Sequence, residues 1–238
     1  WKIYSDQIND IERTDLSLQS AMYGGIEKGE FSLHYQPIFC AQTGRLRGAE
    51  ALMRWHNPNH GFISPMRFIP LAESNGLIKI LGAWALSSAC HQARQWQKAG
   101  LKDFYISVNV SPRQFVQEDF LEMINRVLDE SGLLPENLML EITEGVLMDN
   151  PQRSKAILAQ LHEMGVKIAI DDFGTGYSSL AYLKKFSLSV LKIDKSFVDD
   201  MINSAEDMAI VGAILRLAEG LNLLVVAEGV ENDAQLGF

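Results

Sequence analysis

Residues 157–172 read Ile-Leu-Ala-Gln-Leu-His-Glu-Met-Gly-Val-Lys-Ile-Ala-Ile-Asp-Asp. The first half sets Ile157, Leu158, Leu161 and Met164 on one helical face and stops at Gly165. The second half, Val166–Ile170, is an apolar run of strand length that ends in two adjacent aspartates, Asp171 and Asp172. A helix feeding directly into a buried strand is half of a βα repeat. Two like charges at a strand end are unfavourable unless something of opposite charge binds there.

The same alternation extends in both directions. Buried-strand patterns occur at Leu33–Phe39, Leu46–Met53, Phe104–Val110, Leu138–Ile142, Val166–Ile170, Val190–Ile193 and Leu223–Ala227. Helical faces lie between most of them. Phe120, Ile124, Val127 and Leu128 form one, and Leu77–Trp96 is a longer helix. Met208, Val211, Ile214, Leu215 and Ala218 form another, closed by Gly220. Repeated βα units predict a parallel sheet covered by helices. An open doubly wound sheet satisfies this pattern. A TIM-like (β/α) barrel is favoured because polar residues end many different strands and not one switch point.

The first connection departs from the repeat. Phe39 to Arg45 is too short for a helix, so the first strand is expected to run antiparallel to the second through a hairpin at Gln42-Thr43-Gly44. The pattern offers seven strands and predicts no eighth before Phe238, as expected of a barrel domain truncated at its C-terminal end. Residues 1–30 are expected to form a linker with a short helix over Leu16–Ile26, and residues 31–238 the domain proper. The chain opens on Trp1, as expected of a segment excised from a longer protein.

Hydrophobic residues make up 47% of the 238 residues, enough for a sizeable core. The net charge of -9 argues against long nucleic acid and against contact with an anionic membrane. No run of about 18 apolar residues and no signal peptide is present, which predicts a cytoplasmic location. Cys40 and Cys90 lack metal-binding spacing and are expected to be buried free thiols. The histidines show no zinc-binding pattern.

The strand ends carry the chemistry. Glu50 lies on the second strand, Asn109 ends the third and Glu141 the fourth. Asp171 and Asp172 follow the fifth, Lys192 lies on the sixth, and Glu228 ends the seventh. In a barrel these side chains share one face. Five carboxylates against one ammonium cannot be packed together without counter-charge. An all-oxygen donor set predicts two divalent cations, Mg²⁺ or Mn²⁺. Two such ions suit in-line displacement at phosphorus. The loop Phe173-Gly174-Thr175-Gly176 that follows lacks both nucleotide-loop glycine patterns and is expected to close over the metals or to transmit a signal.

Around Glu50-Ala51-Leu52 stand Tyr35-Gln36-Pro37-Ile38, Ser107-Val108-Asn109-Val110-Ser111, Glu141-Ile142-Thr143-Glu144, Leu191-Lys192-Ile193-Asp194 and Ala227-Glu228-Gly229-Val230-Glu231. Together with Asp171–Leu180 these motifs, in this order, resemble the EAL domain family. That resemblance implies a phosphodiesterase that opens cyclic di-GMP to linear pGpG, in a barrel whose first strand is antiparallel. It implies metal ligation by Glu50, Asn109, Glu141, Asp171 and Asp172, and water positioning or activation by Lys192 and Glu228. It also implies substrate contacts by Gln36, Leu52 and Arg54, a loop anchor at Glu144 (a position that equally suits a helix N-terminal carboxylate before Gly145), a homodimer with regulation through the loop after the fifth strand, and a parent of the GGDEF–EAL type. A catalytically silent cyclic di-GMP receptor is the alternative. Such receptors lack a ligand, whereas the full set is present in this chain.

Overall fold

The hairpin expected at Phe39–Arg45 starts the sheet. In the computed structural model, which describes residues 6–174 and 183–238, β1 (Phe31–Phe39) pairs antiparallel with β2 (Leu46–Asn57). Gly44, at φ +64°, turns the chain so that its N–H donates to the Cys40 carbonyl at 2.8 Å. β2 runs beyond Met53 to Asn57 because a short strand, β3 (Gly61–Ile63), folds back onto it. Three residues are too few for any periodicity, and the sequence pattern misses this strand.

Five parallel strands follow: β4 (Tyr105–Asn109), β5 (Leu138–Thr143), β6 (Lys167–Phe173), β7 (Val190–Ile193) and β8 (Leu224–Ala227). The order is β1-β2-β4-β5-β6-β7-β8, with β3 off the path. The sheet curls as in a TIM-like barrel with an antiparallel first strand. Among the described residues β1 and β8 are its two edges.

Helices cover the outer face. They include α1 (Asp6–Glu27), α2 (Pro65–Asn75), α3 (Ile78–Lys98), α4 (Pro112–Phe115), α5 (Phe120–Ser131) and α6 (Glu144–Asp149). Further along come α7 (Pro151–Glu163), α8 (Lys195–Asp199), α9 (Ala205–Leu221) and α10 (Asp233–Leu236). The α5 face of Phe120, Ile124, Val127 and Leu128 is buried as its spacing predicts, and Gly132 at φ +66° ends the helix. On α9, Val211, Ile214 and Ala218 are buried, but Met208 and Leu215 are exposed. Gly220 does not close α9. The helix continues to Leu221, and Asn222, at φ +56°, is the left-handed cap. Asn tolerates that conformation as few other side chains do.

The lead-in helix is longer than its periodicity suggests. α1 has 22 residues, and Leu18 and Met22 enter a satellite core with Phe31, Trp55 and Phe68. Glu30, in the following turn, accepts hydrogen bonds from Trp55 Nε1 at 3.0 Å and Asn57 Nδ2 at 2.8 Å. A Cβ on Gly25 would lie 2.8 Å from Glu30 Oε2, so this close approach requires glycine. Of the two thiols, Cys90 is buried, and burial pushes it up to about 12. Cys40 is only half-buried, because it sits in the hairpin turn.

Inside the curl the strands build two layers. Met139, Ala169 and Val190 form a buried apolar floor with Tyr105 and Val226 packed against it. Gly48 lies beside Tyr105 in the ladder, and a Cβ there would meet the Tyr105 carbonyl at 2.7 Å. Each floor residue has a polar partner two positions later: Glu50, Ser107, Glu141, Asp171, Lys192 and Glu228. The period of two in a strand puts both members of each pair on the interior face.

Candidate active site

The floor lifts the polar layer to the C-terminal ends of the strands and removes water from beneath it. Lys192 is 2% exposed, Glu141 1% and Ser107 0%. The Lys192 ammonium is the centre of the cluster. Its Nζ lies 2.6 Å from Glu141 Oε2, 2.7 Å from Glu228 Oε1, 3.1 Å from Asp171 Oδ1 and 3.3 Å from Glu50 Oε2. Asn109 Nδ2 donates to Glu50 Oε1 at 2.8 Å, so the carboxylate of Glu50 is held from both sides.

Electrostatics follow from burial and crowding. Burial pushes the Glu141 carboxyl up to about 8; Lys192 opposes the shift, while Glu50 and Asp171 add to it. Burial acts to lower the Lys192 ammonium, but Glu141, Glu50 and Asp171 outweigh it and the net direction is upward. Lys192 therefore stays protonated. Burial also raises Glu228, against its hydrogen bond to Lys192. Asp172 is raised by partial burial and then by the charge of Asp171.

The two adjacent aspartates are separated by the backbone. Asp172 has φ +53°, and the β6–β7 register breaks between Ile170 and Phe173. A non-glycine residue in the left-handed region costs about 1–2 kcal/mol. Asp171 keeps the strand alternation and reaches Lys192, whereas Asp172 is exposed. Phe173 then turns into the core, and Gly174, at φ +95°, begins the loop. Thr175 and Gly176 lie outside the described residues.

The substrate-contact candidates line up beside this cluster. Glu50, Leu52 and Arg54 alternate along β2 and share a face. Gln36 on β1 stands opposite Glu50 in the ladder and is exposed. Arg54 is half-buried and donates to the Met53 carbonyl at 2.9 Å. Glu144 is the first residue of α6 and is buried.

One participant has no role in the sequence pattern. Ser107 Oγ donates to Glu141 Oε1, the oxygen that does not face Lys192. Its position two residues before Asn109 was the available signal, since alternation puts both on the interior face.

The donor chemistry fits hard divalent cations: five carboxylates and one amide, with no sulfur or imidazole. Among the described residues, no group of three acidic side chains is disposed as a metal cage. Four of the carboxyl groups instead share the Lys192 ammonium, the one positive charge in the strand-end count, by direct contact. One ammonium against five carboxyls still leaves the layer strongly negative, so the site retains the capacity for added positive charge.

A family model described as "EAL domain" matches residues 16–238. The bifunctional diguanylate cyclase/cyclic di-GMP phosphodiesterase MucR of Pseudomonas aeruginosa is 44% identical over 235 residues, 99% of this chain and 34% of that protein. The cyclic di-GMP phosphodiesterase NbdA of the same organism is 39% identical over 237 residues, covering 100% of this chain and 30% of that protein. The solved MucR phosphodiesterase in complex with c-di-GMP superposes with a TM-score of 0.90 at 45% identity, covering 93% of this chain and 90% of that one. The chain spans about a third of the length of the curated relatives it matches. Among the described residues no helix is long and apolar enough to cross a membrane.

Proposed function

Since the chain belongs to the EAL domain family, we propose that it hydrolyses cyclic di-GMP to the linear dinucleotide pGpG in a reaction that depends on divalent metal. The observation that carries this reading is the buried Lys192 ammonium surrounded by Glu50, Glu141, Asp171 and Glu228 at the strand ends. A structural ion pair needs one partner, and four carboxyls around one buried lysine form a functional arrangement.

Glu50, Asn109, Glu141, Asp171 and Asp172 are the residues that would hold two Mg²⁺ or Mn²⁺ ions. When bound, these ions supply positive charge for the phosphodiester and make a water more acidic. The chain's own groups do the rest. Ser107 orients Glu141, and Asn109 orients Glu50. Lys192 stays protonated, so it donates hydrogen bonds to the reacting oxygens and does not act as a base. Glu228 is more exposed than Lys192 and hydrogen-bonded to it, which leaves it to accept the proton lost by the attacking water. Arg54 offers its guanidinium to a phosphate, Gln36 offers an amide, and Leu52 gives a guanine an apolar surface. The loop of Phe173 to Gly176 and its anchor Glu144 would regulate the site, and the active form would be a homodimer located in the cytoplasm.

The test is product formation. The chain, incubated with Mg²⁺ or Mn²⁺ and cyclic di-GMP, should release pGpG, and a Glu50→Ala variant should release none. Binding of cyclic di-GMP without product would identify a receptor in place of an enzyme.

A further inference from the structure

From Val230 to Phe238 every residue but one is at the surface, and that one is polar. Gln235 is buried, and its amide spends its entire hydrogen-bonding capacity. Oε1 accepts from the backbone N–H groups of Glu231 at 2.7 Å and Asn232 at 3.2 Å. Nε2 donates to the carbonyls of Val198 at 3.0 Å and Asp199 at 3.3 Å.

The two halves of the amide do different things. The acceptor half stays within its own turn, where it completes a capping box with Asn232 at the start of α10. The donor half crosses to α8, the helix that continues the chain from β7 and Lys192. Val198, one of the two acceptors, is buried in the main core, so this end of the tether is fixed. The other end is the loop that follows Glu228. Two contacts run parallel to the tether. The Glu228 N–H donates to the Ile193 carbonyl at 3.1 Å, and a Cβ on Gly229 would sit 2.5 Å from Lys195 Cγ. The Lys195–Glu231 ion pair at 2.7 Å spans the same gap but is solvent-exposed and weak.

We propose that Gln235 is a positioning residue for the reaction. It clamps the loop carrying Glu228 onto the element that follows Lys192, and so holds Glu228 Oε1 at the 2.7 Å it keeps from Lys192 Nζ. The inference rests on the hydrolase reading given above. Only an amide of this length supplies two donors and two acceptors here. Glu would keep both acceptors, lose both donors and set a carboxylate oxygen against two carbonyl oxygens. Met would remove all four bonds at similar volume.

Two measurements on the full chain separate the clamp from the chemistry. In Gln235→Met, amide hydrogen exchange at Glu231 and Asn232 should accelerate by about tenfold or more, because each amide loses its acceptor. In both Gln235→Met and Gln235→Glu, kcat for cyclic di-GMP should fall at least about tenfold while KM stays within about twofold, since misplacement of a reacting group costs rate before binding. The Glu variant is decisive, because a merely local cap would survive in it. Parental kcat in Gln235→Glu, or unchanged exchange in Gln235→Met, overturns the proposal. A parental chain that makes no pGpG overturns the hydrolase reading and the positioning role together, and exchange then judges only the clamp.

Discussion

Lys192 Nζ lies 2.6 Å from Glu141 Oε2, and both side chains are almost completely buried. Removing the ammonium takes a donor from Glu141 and leaves Glu50, Asp171 and Glu228 crowded without their shared counter-charge, at a cost of about 3–5 kcal/mol. Lys192→Met should therefore lower the unfolding free energy by about 3–5 kcal/mol in chelator. Added Mg²⁺ should recover part of the loss. Denaturant melts with and without metal measure both; an unchanged midpoint in chelator contradicts the central role of this ammonium.

The raised carboxyl of Glu141 makes metal binding depend on pH. Burial first, and Glu50 and Asp171 next, keep it protonated below about 8 when no metal is bound. A cation must then displace that proton. Apparent Mg²⁺ affinity should rise with pH up to about 8 and level off above it. Because the folded-state value lies above the unfolded one, the metal-free chain gains stability from this group at low pH. That gain is lost as pH rises from the ordinary carboxyl range through about 8. Titration calorimetry in two buffers of different ionisation heat reads the proton release directly. Identical heats in the two buffers would refute it.

Ser107→Ala removes the hydroxyl that donates to Glu141 and leaves a buried carboxyl oxygen without that donor. The expected cost is about 1–3 kcal/mol in stability. Metal affinity should fall about 10–100-fold, the usual effect of losing a group that orients a ligand. Thermal unfolding in chelator and Mn²⁺ binding measure the two separately.

Asp172→Gly should uncouple stability from activity. Glycine relieves the positive φ and should stabilise the chain by up to about 1 kcal/mol. Loss of the carboxylate should reduce turnover about a hundredfold or more, on the scale of removing a metal-orienting group. Asp172→Asn keeps the φ tolerance without the charge, and should lose activity with no gain in stability. Full activity in either variant would remove Asp172 from the metal set.

The strand ends were legible because an apolar run that stops at a charge is a local pattern, so Glu141, Asp171, Lys192 and Glu228 could be found one at a time. That Glu50, Glu141, Asp171 and Glu228 all touch the Lys192 ammonium was not legible, since it depends on how far the sheet curls. Ser107 was hidden because serine is ordinary at any strand position until its neighbour is known. The reach of α1 was hidden because Leu18 and Met22 are buried by contacts with Phe31, Trp55 and Phe68, which are tertiary. Asn222 displaced Gly220 as the α9 cap because cap choice depends on where the following strand must begin.

The floor and the polar layer above it sit two residues apart along the strands: Met139 and Glu141, Ala169 and Asp171, Val190 and Lys192, and Val226 with Glu228 just past the end of β8. A single-residue insertion ahead of any of these pairs would turn the apolar member toward the helices and bring its outer-face neighbour inside, and the polar member would leave the cluster in the same event. Foldability and chemistry thus share one reading frame. Length variation among descendants of this chain must fall in the loops, and the strands must be inherited without gaps.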